Sequence, residues 1–210
     1  MIIISFSMID PLRQPLITLF LEYNSRINLS AIRDSEGVYS KHILDSLEVT
    51  KIVDFWSIRQ VADIGTGGWF PLLPLAISFP WVSFVGIDSV RKKLQAIHDM
   101  CSHLSLDNVE CVWSRIEDIH QSYEVVTARA VAHISKLLPW VHNLLKPWSL
   151  LILYKQNSQT ISLSSDTETQ SEYQTMIDLL PSYGLILEKE HHYTLFPWDI
   201  SRVIYLLRKL

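Results

Sequence analysis

Val61-Ala62-Asp63-Ile64-Gly65-Thr66-Gly67-Gly68-Trp69-Phe70-Pro71 decides how the rest of the chain reads. A short apolar run enters a glycine turn, and Pro71 opens the next apolar stretch, Leu72 to Ile77. That pattern predicts a buried strand, a tight turn and a short helix. Glycine in such a turn permits φ > 0 and lets a ligand lie against backbone. The helix N-terminus adds N–H groups with no partner inside the helix. Alone, the stretch is equally compatible with a plain strand-to-helix connection. Asp88 is the second clue, at the end of the next apolar run, Val82 to Ile87. An acid there is placed to accept hydrogen bonds from a ribose diol. It could also cap the helix that follows. Together the two features favour a cofactor with an adenosine half. Counted from Gly65, the sixth position of G-x-G-x-x-G is Phe70. A turn without that third glycine suits a pyrophosphate poorly and S-adenosylmethionine better, since the latter has none.

Outward from this stretch, apolar runs suited to strands alternate with amphipathic helical patterns. Gln60–Ile64, Val82–Ile87, Val109–Trp113, Val125–Ala128 and Leu150–Tyr154 read as strands. Leu94, Ile97, Cys101 and Leu104 share one helix face, as do Val131, Ile134, Leu138, Val141 and Leu145. The alternation predicts an α/β fold with a parallel sheet covered on both faces. Upstream, helices are expected over residues 11–25 and from Asp34 or Ser35 to Leu47. The division expected is a helical extension, 1–57, and a main domain, 58–210. Gln156–Gln174, rich in Ser, Thr and Gln, reads as a mobile loop leading into a helix over Thr167–Leu180. Leu185–Leu195 and Arg202–Leu207 read as a closing strand pair.

The 210 residues are 48% apolar and only 19% charged, which excludes a disordered chain. The net charge of −4 carries no global basic field of the kind that marks many nucleic-acid binders. Cys101 and Cys111 are the two cysteines. They form neither a C-x-x-C pair nor a zinc pattern, so a reduced cytoplasmic protein without a metal is expected. The apolar start, Met1–Met8, lacks the basic flank and cleavage site of a leader. It is also far shorter than the ~20 residues of a membrane span. It reads as a buried arm or a misassigned start.

Cations gather where a site would lie. Arg91-Lys92-Lys93 fill the first turn of a predicted helix, where positive charge opposes the helix dipole. That placement favours a phosphate role over a plain solvated face. Arg129 and Lys155 each follow a predicted strand. Arg129 would otherwise pair with Glu117 or Asp118. His42 and Asp45 share a helix face. Trp113 and Trp140 read as core, Trp198 as a packed loop aromatic, and His191-His192 as surface residues.

Several segments together resemble the bacterial small-subunit ribosomal RNA guanine-N7 methyltransferases, also called the glucose-inhibited division protein B family. Asn28-Leu29-Ser30-Ala31-Ile32-Arg33-Asp34 is similar to its N-L-T-x-[IV]-R-D segment, and Lys41-His42-Ile43-Leu44-Asp45-Ser46 to its [RK]-H-[IF]-L-D-S motif. The Asp63–Ile77 loop, Ile87-Asp88-Ser89, Thr127-Ala128-Arg129-Ala130, Lys146-Pro147 and Lys155 also match. The resemblance implies a Rossmann-like methyltransferase fold with a seven-stranded sheet and an N-terminal helical extension. It implies S-adenosylmethionine at Gly65, Gly67, Phe70, Asp88, Ile116, Glu117 and Arg129. For such a substrate, RNA contacts are expected at the cations Arg91, Lys92, Lys93 and Lys155 from their placement, and at His42 unless it packs between helices. The implied partner is 16S ribosomal RNA or the small subunit, bound by a monomer.

The chain departs from the family pattern at Trp69, Leu72, Trp148, Ser149 and Gln156, where the family has glycine. The expectation is that the Trp69 indole turns away from the adenosine and packs on the extension helices or near Trp148. Two other readings stay open. One is a degenerate relative that binds RNA or a partner without catalysis. The other is a nucleotide enzyme of different chemistry, such as a dehydrogenase.

Overall fold

A computed structural model describes the backbone of residues 2–156 and 167–210, with side chains over 11–156 and 172–210. The Ser/Thr/Gln-rich segment expected as a mobile loop falls, over 157–166, outside the described residues.

Seven strands form one sheet: β1 Gln60–Ile64, β2 Ser83–Asp88, β3 Val109–Trp113, β4 Tyr123–Arg129, β5 Leu145–Gln156, β6 Leu185–Leu195 and β7 Ile200–Lys209. Their order is β3-β2-β1-β4-β5-β7-β6. The first five run parallel, and β7 is antiparallel to both β5 and β6. Chain order reverses at β1, which has β2 on one side and β4 on the other. A crevice opens at such a reversal, at the carboxyl ends of the strands.

The inner strands are mostly apolar at their centres because both faces are covered. Val61, Phe84, Val125 and Ile152 join a core with α1 (Ile2–Ile27), α4 (Leu72–Ser78) and α5 (Arg91–Leu104). Their sequence neighbours Ala62, Val85, Val126 and Leu151 face a second core with α6 (Ile134–Val141) and α7 (Thr167–Leu179). The extension is built into the first core through Leu16, Phe20, Val38, Ile43 and Leu47.

Several boundaries differ from the sequence reading. Helix α1 runs through Pro11 and Pro15 and back to Ile2, well before the expected start. Proline lacks the N–H of a helix interior, which is why its presence reads as a boundary. The second helix is broken into α2 (Ser35–Val38), a π-helical stretch Tyr39–Leu44 and α3 (Asp45–Leu47). Asp34 caps it as expected, accepting from Gly37 N at 2.7 Å. Helix α6 starts three residues later than its apolar pattern, behind the His133 cap, and β5 takes over from Leu145. A β-bulge or similar irregularity in the β4–β5 pairing, between Tyr123 and Val125, hides that early start from periodicity.

Leu72, which stands where the family has glycine, is fully buried. The room for it comes from Gly86 at the centre of β2. A Cβ on Gly86 would lie 2.8 Å from Leu72 Cδ2 and 3.2 Å from Thr66 Cγ2. Gly86→Ala is therefore expected to cost about 1–3 kcal/mol of stability through overpacking. Leu72→Ala alone should cost about 2–5 kcal/mol. The double variant should cost less than the sum, by at least ~0.5 kcal/mol. Denaturant midpoints of the four proteins measure this, and strict additivity would contradict the pairing.

Candidate active site

At the carboxyl ends of β1 to β4 lies an open cleft of about 890 Å³. Gly65, Asp88, Lys93, Ile116, Glu117 and Val131 are among its walls. Gly65 has φ +62°, and a Cβ there would lie 2.9 Å from Val131 Cγ2. The position thus requires glycine both for its backbone and for its space. Asp88 is 7% exposed. Its Oδ2 accepts from Gly67 N at 2.9 Å and its Oδ1 from Val90 N at 2.8 Å. A carboxylate has about four lone-pair directions, so acceptor capacity remains toward the cleft. Val90, not Asp88, is the N-cap residue of α5.

Gly67 keeps space beside that carboxylate. A Cβ on it would sit 2.7 Å from Lys93 Nζ and 3.0 Å from Asp88 Oδ2. Below the turn, Asp63 is buried, and its Oδ1 accepts from Thr127 Oγ1 at 2.7 Å. Burial pushes the Asp63 carboxyl up to about 6, against the opposing pull of hydroxyl hydrogen bonds and Arg129.

Behind the turn the side chains face the extension. Trp69 has φ +71° and is fully buried. Its indole packs edge-to-face on Phe20 (5.3 Å) and on Tyr23 (5.6 Å), both from α1. It therefore turns onto the extension as expected. The suggested pairing with Trp148 is wrong, because Trp148 is 72% exposed and its carbonyl accepts from Arg208. Phe70 is buried too, stacked on the His42 ring at 4.6 Å and edge-on to Phe20.

Arg129 fastens the end of β4 to the π-helical stretch. Its Nη2 donates to Lys41 O at 2.8 Å and to His42 Nδ1 at 3.1 Å, and lies 3.1 Å from Asp45 Oδ2. The alternative reading, a pairing with Glu117 or Asp118, does not hold, because the partner is Asp45. A guanidinium only donates, so Nδ1 of His42 is the acceptor and Nε2 carries the proton. Nε2 accordingly donates to Ser30 Oγ at 2.8 Å. Burial, then the Arg129 charge, pushes the imidazole down to about 3, so His42 is neutral at working pH. Asp45 also accepts from Tyr193 Oη at 2.7 Å.

The chain matches the family model described as rRNA small subunit methyltransferase G over residues 12–182. It belongs to that family. A curated relative in Lysinibacillus sphaericus, named ribosomal RNA small subunit methyltransferase G, is 32% identical over 198 residues, covering 91% of this chain and 79% of that one. One of the same name in Hydrogenovibrio crunogenus is 33% identical over 179 residues, covering 83% and 82%. A solved SAM-dependent methyltransferase from Aquifex aeolicus superposes with a TM-score of 0.60 at 15% identity, covering 80% of this chain and 92% of that one. That likeness supports the Rossmann-like fold.

The positions matched to the methyltransferase G family fall into two places. Gly65, Asp88, Ile116 and Glu117 line the cleft, with Gly67 bonded to Asp88. Phe70, Arg129 and His42 form the adjoining cluster against the extension. Lys155 stands apart, paired with Glu172 Oε1 at 2.6 Å. Arg91 and Lys92 are exposed, whereas Lys93 reaches into the cleft. Trp113 is not core: it is 62% exposed and lines the cleft, with the partly buried Trp140. Its place at a strand end was the available signal. Lys41 Nζ lies 4.1 Å from the Trp198 ring centroid, so Trp198 packs as expected for a loop aromatic. Burial pushes Cys101 up to about 12 and Cys111 up to about 11, so neither supplies a thiolate nucleophile near pH 7. Among the described residues, no cluster of His, Cys, Asp or Glu is arranged to hold a metal, and no helix is long and apolar enough to cross a membrane.

Trp69→Gly is expected to relieve ~1 kcal/mol of backbone strain but lose ~3–5 kcal/mol of buried aromatic packing. The net loss, about 2–4 kcal/mol, is read by denaturant titration. Affinity for S-adenosylhomocysteine should stay within a few-fold. A variant that gains binding which the parent lacks would show the indole to block the cleft.

Proposed function

We propose that this chain transfers a methyl group from S-adenosylmethionine to N7 of a guanine in small-subunit ribosomal RNA, as a cytoplasmic enzyme. The observation that supports this best is the open cleft above Asp88, with the Trp69 indole packed behind the glycine turn rather than in it. Trp69 was the main ground for a degenerate relative, and its placement removes that ground. The residues present suit the cofactor. Gly67 leaves a cradle that a Cβ would fill, and Asp88 keeps acceptor capacity beside it.

When bound, S-adenosylmethionine supplies a methyl group already activated by its sulfonium. Guanine N7 attacks through a lone pair and has no proton to lose, so the chain needs no general base. What it must supply is alignment and exclusion of water. Asp88 holds the ribose hydroxyls while tying the turns after β1 and β2 together. Gly65 and Gly67 bring backbone against the cofactor. The loop Ile116–Glu117 borders the base. Neutral His42 and bound Arg129 position Phe70 and the end of β4 without acting on a proton.

N7 lies in the deep, narrow major groove of A-form RNA, so the target guanine has to be unpaired or turned out of its stack. The exposed cations Arg91 and Lys92 are assigned to RNA phosphates. Residues 1–57 are assigned to bracing the glycine turn, and 58–210 to cofactor and base.

Asp88→Ala is expected to weaken S-adenosylmethionine binding by roughly 1.5–3 kcal/mol, the range for hydrogen bonds to a charged acceptor. Calorimetry on a variant shown to be folded measures it, and unchanged affinity would overturn the ribose assignment.

Charge reversal at Arg91 and Lys92 should weaken binding to small-subunit RNA. Each lost phosphate contact should flatten the dependence of log K on log salt by roughly 0.7–0.9. An unaltered slope would make the pair a solvated face.

A further inference from the structure

Resting on the cofactor reading above, we propose that Trp113 is the stacking wall for the purine base of the cofactor, backed by Arg91. Trp113 closes β3 and is the registered parallel partner of Asp88 on β2. Registered neighbours project from the same face of a sheet. The indole therefore stands one strand beyond the carboxylate assigned to the ribose, on its side of the sheet.

The direction of the base follows from the strand order. A cofactor held at Asp88 has two ends, a charged amino-acid arm and a flat, largely apolar base. Toward β1 and β4 the cleft is walled by Gly65, Ala130 and Val131 and by Trp140, which is partly buried, unlike the exposed Trp113. Toward β3 it offers Val90, Trp113 and Ile116. The base belongs on that second side.

The ring is held ready for it. Trp113 Nε1 donates to Ser89 O at 3.0 Å, which fixes the indole against the turn that carries Asp88. With its one polar atom already satisfied, the side chain has only its π face to offer, and it is 62% exposed. The Arg91 guanidinium lies 5.3 Å from the ring centroid and does not line the cleft, so it covers the indole from outside. A bound purine would complete a guanidinium–indole–purine stack.

Two substitutions separate stacking from a merely structural clamp. Trp113→Phe keeps a ring but loses the N–H to Ser89, whereas Trp113→Leu loses the ring. Calorimetry with S-adenosylhomocysteine and with methylthioadenosine, which lacks the amino-acid arm, reads the contact without turnover. Trp113→Leu is expected to bind both ligands about tenfold more weakly, the scale of base–aromatic stacking. Trp113→Phe should stay within about threefold of the parent. Tryptophan emission of the parent should fall on adding S-adenosylhomocysteine, with a smaller fall in Trp113→Phe. Equal losses in both variants would overturn the stack in favour of a clamp. Unchanged binding in both, with weaker RNA binding, would place Trp113 on the RNA instead. A parent that binds neither ligand would overturn the cofactor reading, and this inference with it.

Discussion

The Asp88 carboxylate is the constraint on which the site depends. One oxygen holds the Gly67 N–H and the other the Val90 N–H, so a single buried group ties the turn after β1 to the turn after β2. A buried carboxylate left without donors would be costly, and these two amides supply them. The same arrangement explains why Gly67 carries no side chain. A methyl group there would press on the carboxylate and on Lys93 at once. The proposed ribose recognition would draw on the same carboxylate that fixes the loop geometry, so a change at Asp88 would disturb both.

A second tie runs across the first. Arg129, at the end of β4, bonds the π-helical stretch through Lys41 and His42 and the start of α3 through Asp45. Asp45 is almost fully buried, so the cations Arg129 and Arg202 compensate its charge while Tyr193 donates a hydrogen bond to it. The extension therefore reaches the site through polar contacts at one point and through aromatic packing of Phe20 on Trp69 and Phe70 at another. It acts as a brace for the glycine turn, with its residues in the same core as the sheet.

The sheet was legible because parallel strands covered on both faces read as short apolar runs, and each of the five parallel strands was found, the less buried edge strand β3 included. The edge of the cleft was legible for a similar reason, since glycine before a helix and an acid at the end of the next strand leave local signals. What stayed hidden depends on partners distant in sequence. Arg129 finds Asp45 across 84 positions of chain, and nothing local distinguishes that pair from one with Glu117. Trp113 looks like core because tryptophan usually is, and only the sheet order shows that β3 ends beside the cleft. The length of α1 was hidden by its prolines.

The two tryptophans at family glycine positions show what backbone and side chain each determine. Trp69 has φ +71° and Trp148 has φ +69°, so the left-handed conformation survives without the residue that adopts it freely. Such a state persists where its surroundings over-determine it. At Trp69 they do so with hydrogen bonds on both sides, from its N–H to Thr66 O and from Leu73 N to its carbonyl, and with two aromatic partners on α1. At Trp148 the carbonyl is held by Arg208 while the indole lies in solvent. The shape the turn keeps presents Gly65 to the cleft and the Gly67 N–H to Asp88. The side chain is free to change only in a direction that leaves the cleft empty, and the face of α1 supplies that direction.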